Sequence, residues 1–310
     1  MKAPTMRIAS PSVQGAPLFR PGGLHAPSAA QATGVVNAMT IDVEDYFQVS
    51  AFADHIARDT WPTMPCRVEA NVDLILSLLA DADVHATFFT LGWIAERYPV
   101  MVRRIVDEGH ELASHGYEHQ RASDQSYGAF LADIRLAKAV LEDLTGIAVN
   151  GYRAPSFSIG PTNKWAFECI AKAGYRYSSS IYPIKHDHYG MPDAPRFAYE
   201  SFEGLLEIPV ATVRVVNANR PAGGGGYFRL LPYRVSRWSL RRVNEVDGRP
   251  AMFYFHPWEL DPEQPRVAGV SRKARFRHYL NLARMEPRLR QLLADFRWDR
   301  ADRIYLDGPG

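Results

Sequence analysis

Long apolar runs are what this chain lacks most. No stretch of its 310 residues approaches the length of a membrane-spanning helix. An excess of one charge is lacking too: 36 Lys and Arg face 34 Asp and Glu, a formal net charge of +2. That balance leaves no footprint of a nucleic-acid-binding protein. Cysteine is nearly absent. Cys66 and Cys169 are far apart and neither lies in a C-x-x-C pair, so neither a disulfide framework nor a cysteine metal site is expected. The four glycines at 223–226 are not followed by Gly-Lys-Ser/Thr, which excludes a phosphate loop. They read as a flexible turn near a ligand, or as a plain hinge.

The remainder, 46% hydrophobic and 23% charged, is the make-up of an ordinary globular protein. Residues 1–37 carry prolines, glycines and alanines without an apolar core behind a basic start. They read as a disordered tail with no secretory signal, and a cytoplasmic protein is expected. Residues 38–310 read as one domain. The basic residues of 229–242 look like one face of a helix over 231–246.

Short β-prone runs alternate with helical spacing from residue 38 onward. Helices are expected over 68–79, 99–108, 127–145 (stopped by Gly146), 162–174 and 272–296. Such alternation predicts an α/β fold with a mostly parallel sheet, closed into a barrel. Parallel α/β folds place their chemistry at the C-terminal ends of strands.

The residues at those ends are informative. Asp42 and Glu44 close the first strand and, two apart, share a face, while Val43 packs inward. His115 and His119 follow a short buried strand at a spacing that can chelate one metal ion. Arg153 sits between apolar neighbours, where a buried arginine pairs with a carboxylate. His256 ends the aromatic strand 251–255, beside Pro257 and Trp258. Together they supply one carboxylate and two imidazoles for a zinc-like ion, with a fourth position left for water. They also supply a spare carboxylate as base, an arginine to hold it and a histidine as acid. That is equipment for hydrolysing an unactivated amide.

From residue 38 to 259 the chain resembles the polysaccharide deacetylases of the NodB-homology, carbohydrate esterase family 4 type. Asp42-Val43-Glu44 looks like the family's first acidic motif, Ser114-His115 to His119 like its metal motif, Tyr152-Arg153-Ala154-Pro155 like R-x-P, and Phe255-His256-Pro257 like its late histidine motif. A narrower likeness is to the deacetylases associated with exosortase A, the PEP-CTERM system of exopolysaccharide gene clusters. It rests on 42–52, on Gly225-Gly226-Tyr227-Phe228-Arg229, and on His256 to Pro262. The resemblance implies a distorted (β/α) barrel with a C-terminal extension from about 183.

It also implies roles. Asp42 would be the general base, held by Arg153, and His256 the acid. Glu44, His115 and His119 would bind a divalent metal, zinc by default, with cobalt or nickel able to substitute. The backbone N–H of Ser156 would help stabilise the oxyanion. Glu44 is preferred to Asp45 as the metal carboxylate because it shares a strand face with Asp42. The implied substrate is an N-acetylated polysaccharide or its precursor, with no nucleic acid and no membrane span. An O-acetyl or other acyl-amide hydrolase, or a catalytically silent sugar-binding barrel, would use the same scaffold. Tyr46, Phe47, Tyr182, Tyr227 and Trp258 are candidate platforms for a sugar ring.

Overall fold

The structure, a computed structural model, describes residues 34–307. The expected tail lies outside the described residues as far as residue 33. Beyond it, β1 (Val36–Val43) starts two residues ahead of the expected domain boundary. Seven of the eight β1 residues are buried, as in a strand covered on both faces.

Strands and helices then alternate: α1 (Val68–Asp81), β2 (Thr87–Thr90), α2 (Gly92–Arg97), α3 (Pro99–Asp107), β3 (Glu111–Ser114), α4 (Tyr127–Thr145). They continue as β4 (Gly151–Tyr152), α5 (Trp165–Lys172), β5 (Tyr177–Ser178), β6 (Tyr199–Phe202), β7 (Leu205–Glu207). The last third holds β8 (Thr212–Val215), β9 (Ala218–Pro221), α6 (Gly225–Leu230), α7 (Tyr233–Glu245) and β10 (Met252–Phe255). It closes with α8 (Arg272–Tyr279), α9 (Met285–Asp295), β11 (Arg297–Asp299) and α10 (Ala301–Tyr305).

Local chemistry accounts for the clearest boundaries. In α1 the buried side chains Val68, Val72, Ile75, Leu76 and Leu79 recur at helical spacing. In α4 the Ser126 hydroxyl accepts from Ala129 N–H at the start, and Gly146, with φ 71°, ends the helix in the left-handed region.

The main sheet runs β10-β1-β2-β3-β4-β5-β7-β6, and every pair is parallel except β6 with β7. Its register aligns the strand ends: Val43 faces Thr90, Thr90 faces Ser114, and Ser114 faces Tyr152. On the other side of β1, Ile41 faces Phe255. The residues that follow these ends therefore gather on one rim. No ladder joins the two ends of the strand path, but Ala211 N–H, past β7, donates to Met252 O of β10 at 3.0 Å. The expected closure thus rests on irregular backbone, and the barrel is distorted.

Three expectations need correction. Residues 231–246 do not start a helix at 231: Leu231 is extended and α7 begins at Tyr233, behind Pro232. The single helix over 272–296 is two, because Leu280 is extended and Asn281 is left-handed, with φ 53°. The glycine run, expected as a flexible turn near a ligand or a hinge, gives its second half to a helix, since Gly225 and Gly226 open α6. β11 and α10 were not foreseen; β11 pairs with the first residues of β1. Among the described residues no helix is long and apolar enough to cross a membrane.

Candidate active site

At the end of β1 the chain alternates two directions. Asp42 and Glu44 line a cavity of about 570 Å³. Asp45 is buried and turned the other way, accepting from Tyr46 N–H (2.7 Å), Arg67 N–H (2.5 Å), Val68 N–H (2.9 Å) and Cys66 Sγ (3.0 Å). It thereby serves the otherwise unpartnered N–H groups at the start of α1.

His115 directly follows β3, and its loop is wound by positive φ at Gly116 (80°) and His119 (53°). His115 Nδ1 lies 2.9 Å from Arg153 O, which leaves Nε2 as the nitrogen free to bind. Glu44 Oε2 is 2.7 Å from His119 Nε2. One ligand atom from each of Glu44, His115 and His119 lies within 4.8 Å of the others. Glu44 Oε2 is buried, and its one polar contact among the described residues is this approach to the His119 ring. A buried carboxylate oxygen facing two imidazoles fits a divalent cation, and the donor set is that of zinc-type sites.

The charges agree with that fit. Burial acts to raise the Glu44 pKa, but His119, His256 and His115 together hold it well below the usual carboxylate range. Burial pushes His115 down to about 4, so its imidazole is neutral at pH 7, as a ligand must be.

Beside this cluster stand Asp42 and His256, each held from behind. Arg153 is fully buried; its Nη1 donates to Asp42 Oδ1 at 2.5 Å and Thr40 Oγ1 at 2.9 Å, and its Nε and Nη2 bind the Ser179 carbonyl and hydroxyl. Its guanidinium also lies 4.0 Å from the Phe89 ring. The second Asp42 oxygen is 3.9 Å from His256 Nε2. His256 Nδ1 is 2.8 Å from Glu259 Oε1, and Glu259 Oε2 accepts from Arg229 Nε at 2.6 Å. Burial opposes a charged His256, but Glu44, Glu259 and Asp42 outweigh it and raise its pKa to about 9. Glu259 is brought to about 2: burial raises it, and Arg229 and His256 more than offset this.

Glu259 and Arg229 are the site residues that sequence reasoning missed. Both lie in motifs that signalled the narrower resemblance, yet neither had a role. The sequence shows Arg229 only as one of the basic residues on a helix face; it is buried, and also donates to the carbonyls of His278 (2.9 Å) and Leu280 (2.6 Å). Gly225 marks the same spot, because a Cβ there would overlap both carboxylate oxygens of Glu259.

Ser156 lines the cavity too, with φ 55° and its hydroxyl 2.6 Å from that of Ser50. Phe157 follows at φ 49°. Such left-handed non-glycine residues cost roughly 1–3 kcal/mol each and cluster at functional sites. Of the five aromatic platforms proposed, Tyr227 and Trp258 reach the cavity, while Tyr46, Phe47 and Tyr182 are core. Phe157, Tyr189 and Tyr254 line it instead.

Comparison with known proteins matches the chain in two stretches. Residues 58–178 match the polysaccharide deacetylase family, and residues 179–306 match a domain of unknown function, DUF3473. The first stretch holds His115, His119 and Arg153; Asp42 and Glu44 precede it, and His256 falls in the second. A peptidoglycan deacetylase of Helicobacter pylori is 31% identical over 117 residues, 36% of this chain and 38% of its own. A peptidoglycan-N-acetylglucosamine deacetylase of Bacillus cereus is 36% identical over 95 residues, 30% of this chain and 34% of its own. The chain thus spans little more than a third of the length of these curated relatives. The crystal structure of a candidate polysaccharide deacetylase from Mycobacterium smegmatis superposes with a TM-score of 0.53 at 23% identity, covering 87% of this chain and 88% of that one. That likeness is one of fold. Residues 58–178 are thus similar to the polysaccharide deacetylase family and to parts of these curated deacetylases.

Proposed function

We propose that this protein is a metal-dependent hydrolase that removes N-acetyl groups from the amino sugars of a polysaccharide or its precursor. One observation carries the reading. Asp42 and His256 flank the Glu44, His115 and His119 cluster in one cavity, and each is held by its own buried ion pair. The names of the relatives point to N-acetylglucosamine as the sugar. The motifs shared with exosortase A-associated deacetylases extend the proposal to an exopolysaccharide.

Glu44, His115 and His119 would hold the metal, zinc by default. It would supply Lewis-acid polarisation of the acetyl carbonyl. Asp42, oriented by Arg153, takes a proton from water through its Oδ2 as the water oxygen attacks the carbonyl carbon. The Ser156 N–H is the proposed donor to the oxygen on which charge develops. His256 presents Nε2 to the cavity and gives its proton to the departing nitrogen, so the C–N bond breaks to acetate and a free amine. Glu259 keeps His256 protonated, and Arg229 keeps Glu259 charged. An amine leaving group requires such an acid, which favours an amide over an O-acetyl ester.

The test is acetate release from an N-acetylglucosamine oligomer, with and without a chelator. Release that stops with the chelator and returns with zinc is expected. No release from metal-loaded protein would leave a sugar-binding barrel in its place.

A further inference from the structure

Glu207 is a fully buried carboxylate with no place in the steps above. It ends β7 and stands opposite Ser178, the last residue of β5. Just past that strand, Ser179 N–H still donates to Tyr152 O of β4, at 2.9 Å. The next two amides, buried like the rest, need an acceptor of another kind. Glu207 Oε1 serves both, accepting from Ser180 N–H at 2.9 Å and from Ile181 N–H at 2.8 Å.

The peptide that Glu207 grips is the one that Arg153 uses. Ser179 O accepts from Arg153 Nε at 3.1 Å, and Arg153 Nη2 donates to the Ser179 hydroxyl at 2.9 Å. The Ser179 carbonyl and the Ser180 N–H belong to one planar unit, so fixing the N–H fixes the carbonyl. The guanidinium is itself a rigid fork. Once Nε and Nη2 are placed, Nη1 has one direction left, toward Thr40 Oγ1 and Asp42 Oδ1. A second tie refers the backbone to the same turn: Ala154 N–H, next after Arg153, donates to Ser180 Oγ at 2.9 Å.

We infer that Glu207 is a positioning residue for the base: it holds the Ser179–Ser180 peptide, the peptide holds the Arg153 fork, and the fork aims Asp42. The inference rests on the deacetylase reading above and adds a residue to it. The action is one of reach rather than charge. A single oxygen accepts two backbone N–H groups, which an amide oxygen can do as well as a carboxylate.

Two substitutions separate reach from charge. Glu207→Gln keeps the reach and drops the charge; Glu207→Asp keeps the charge and draws the oxygen back by a methylene. With wild type, they are compared for kcat, KM and bound zinc on an N-acetylglucosamine oligomer. The Arg153 Nε–H signal is followed by NMR on the same proteins. Glu207→Asp should lower kcat roughly tenfold to a hundredfold, as a small misplacement does, with KM and zinc unchanged. It should also shift the Arg153 signal and speed its exchange with solvent. Glu207→Gln should stay near wild type in both. In an Arg153→Lys background, which lacks the fork, Glu207→Asp should cost little more.

A wild-type kcat in Glu207→Asp would overturn the inference, as would a larger loss in Glu207→Gln than in Glu207→Asp. So would an undiminished loss in the Arg153→Lys background, which would make the effect a general structural one. A displaced Arg153 signal in Glu207→Asp, with no acetate released by wild type, would retain the positioning and sink the deacetylase reading. Acetate release by wild type with an Arg153 signal that neither variant moves would do the reverse.

Discussion

Arg229 and Glu259, thirty positions apart in the chain, form a fully buried ion pair of 2.6 Å behind His256. Glu259 spends its other oxygen on His256, taking both the ring nitrogen at 2.8 Å and the backbone N–H at 3.1 Å. The pair fixes which His256 nitrogen faces the cavity and keeps the ring charged. Glu259→Gln should therefore lower the His256 pKa by about one unit or more, as loss of a neighbouring opposite charge does. The alkaline limb of the rate profile should move to lower pH with it. An unmoved limb would separate Glu259 from the acid.

Arg229→Met should act on stability more than on chemistry. It leaves the buried Glu259 carboxylate with His256 alone as its cation, a loss of up to roughly 3–5 kcal/mol for a broken buried pair. Urea denaturation measures this. A change under 1 kcal/mol would mean that the pair is not what holds Glu259.

The two ring pKa values give opposite pH dependences in metal-free protein. His256 is raised to about 9 when folded, above an unfolded value of about 6.5. Its contribution to stability is complete below pH 6.5 and disappears as pH rises through 9. His115 is lowered to about 4 by burial, so the unfolded chain binds its proton first. Stability should accordingly fall as pH drops from about 6.5 to 4. Denaturation midpoints across pH 4–10 check both limbs, and a flat profile would contradict them.

Much of the site was legible because each functional residue follows an apolar strand, where an ionisable group demands an explanation. The two-residue period favoured Glu44 over Asp45 as the partner of Asp42 but left Asp45 open if the strand ended early, and β1 does end at Val43. His115, His119, Arg153 and His256 were visible in the same way. The Arg229–Glu259 pair was not, since no local pattern links a helix residue to a partner thirty positions on. The signal was Gly225, whose missing side chain makes room for Glu259, but a glycine run reads equally well as a hinge. β11 and α10 were hidden because short terminal elements have no period to read. The breaks at Pro232 and Asn281 concern single residues, which periodicity over a longer window smooths away.

The carboxylates at the end of β1 should divide cleanly between metal and fold. Glu44→Ala and His119→Ala should lower metal affinity by orders of magnitude in a folded protein. Asp45→Ala should retain metal and destabilise by about 0.5–2 kcal/mol through loss of its contacts at the α1 N-terminus. Metal content by elemental analysis, set beside urea midpoints, decides. Metal lost from Asp45→Ala and kept by Glu44→Ala would exchange the two roles.

The central claim is that this is an amide hydrolase whose amine departs with a proton from His256. It is tested most directly by His256→Ala on two substrates, an N-acetylglucosamine oligomer and an activated acetyl ester whose leaving group needs no proton. The account predicts a loss of about a hundredfold to ten-thousandfold on the amide and a far smaller loss on the ester. Equal losses on both would contradict it and leave His256 with a structural role.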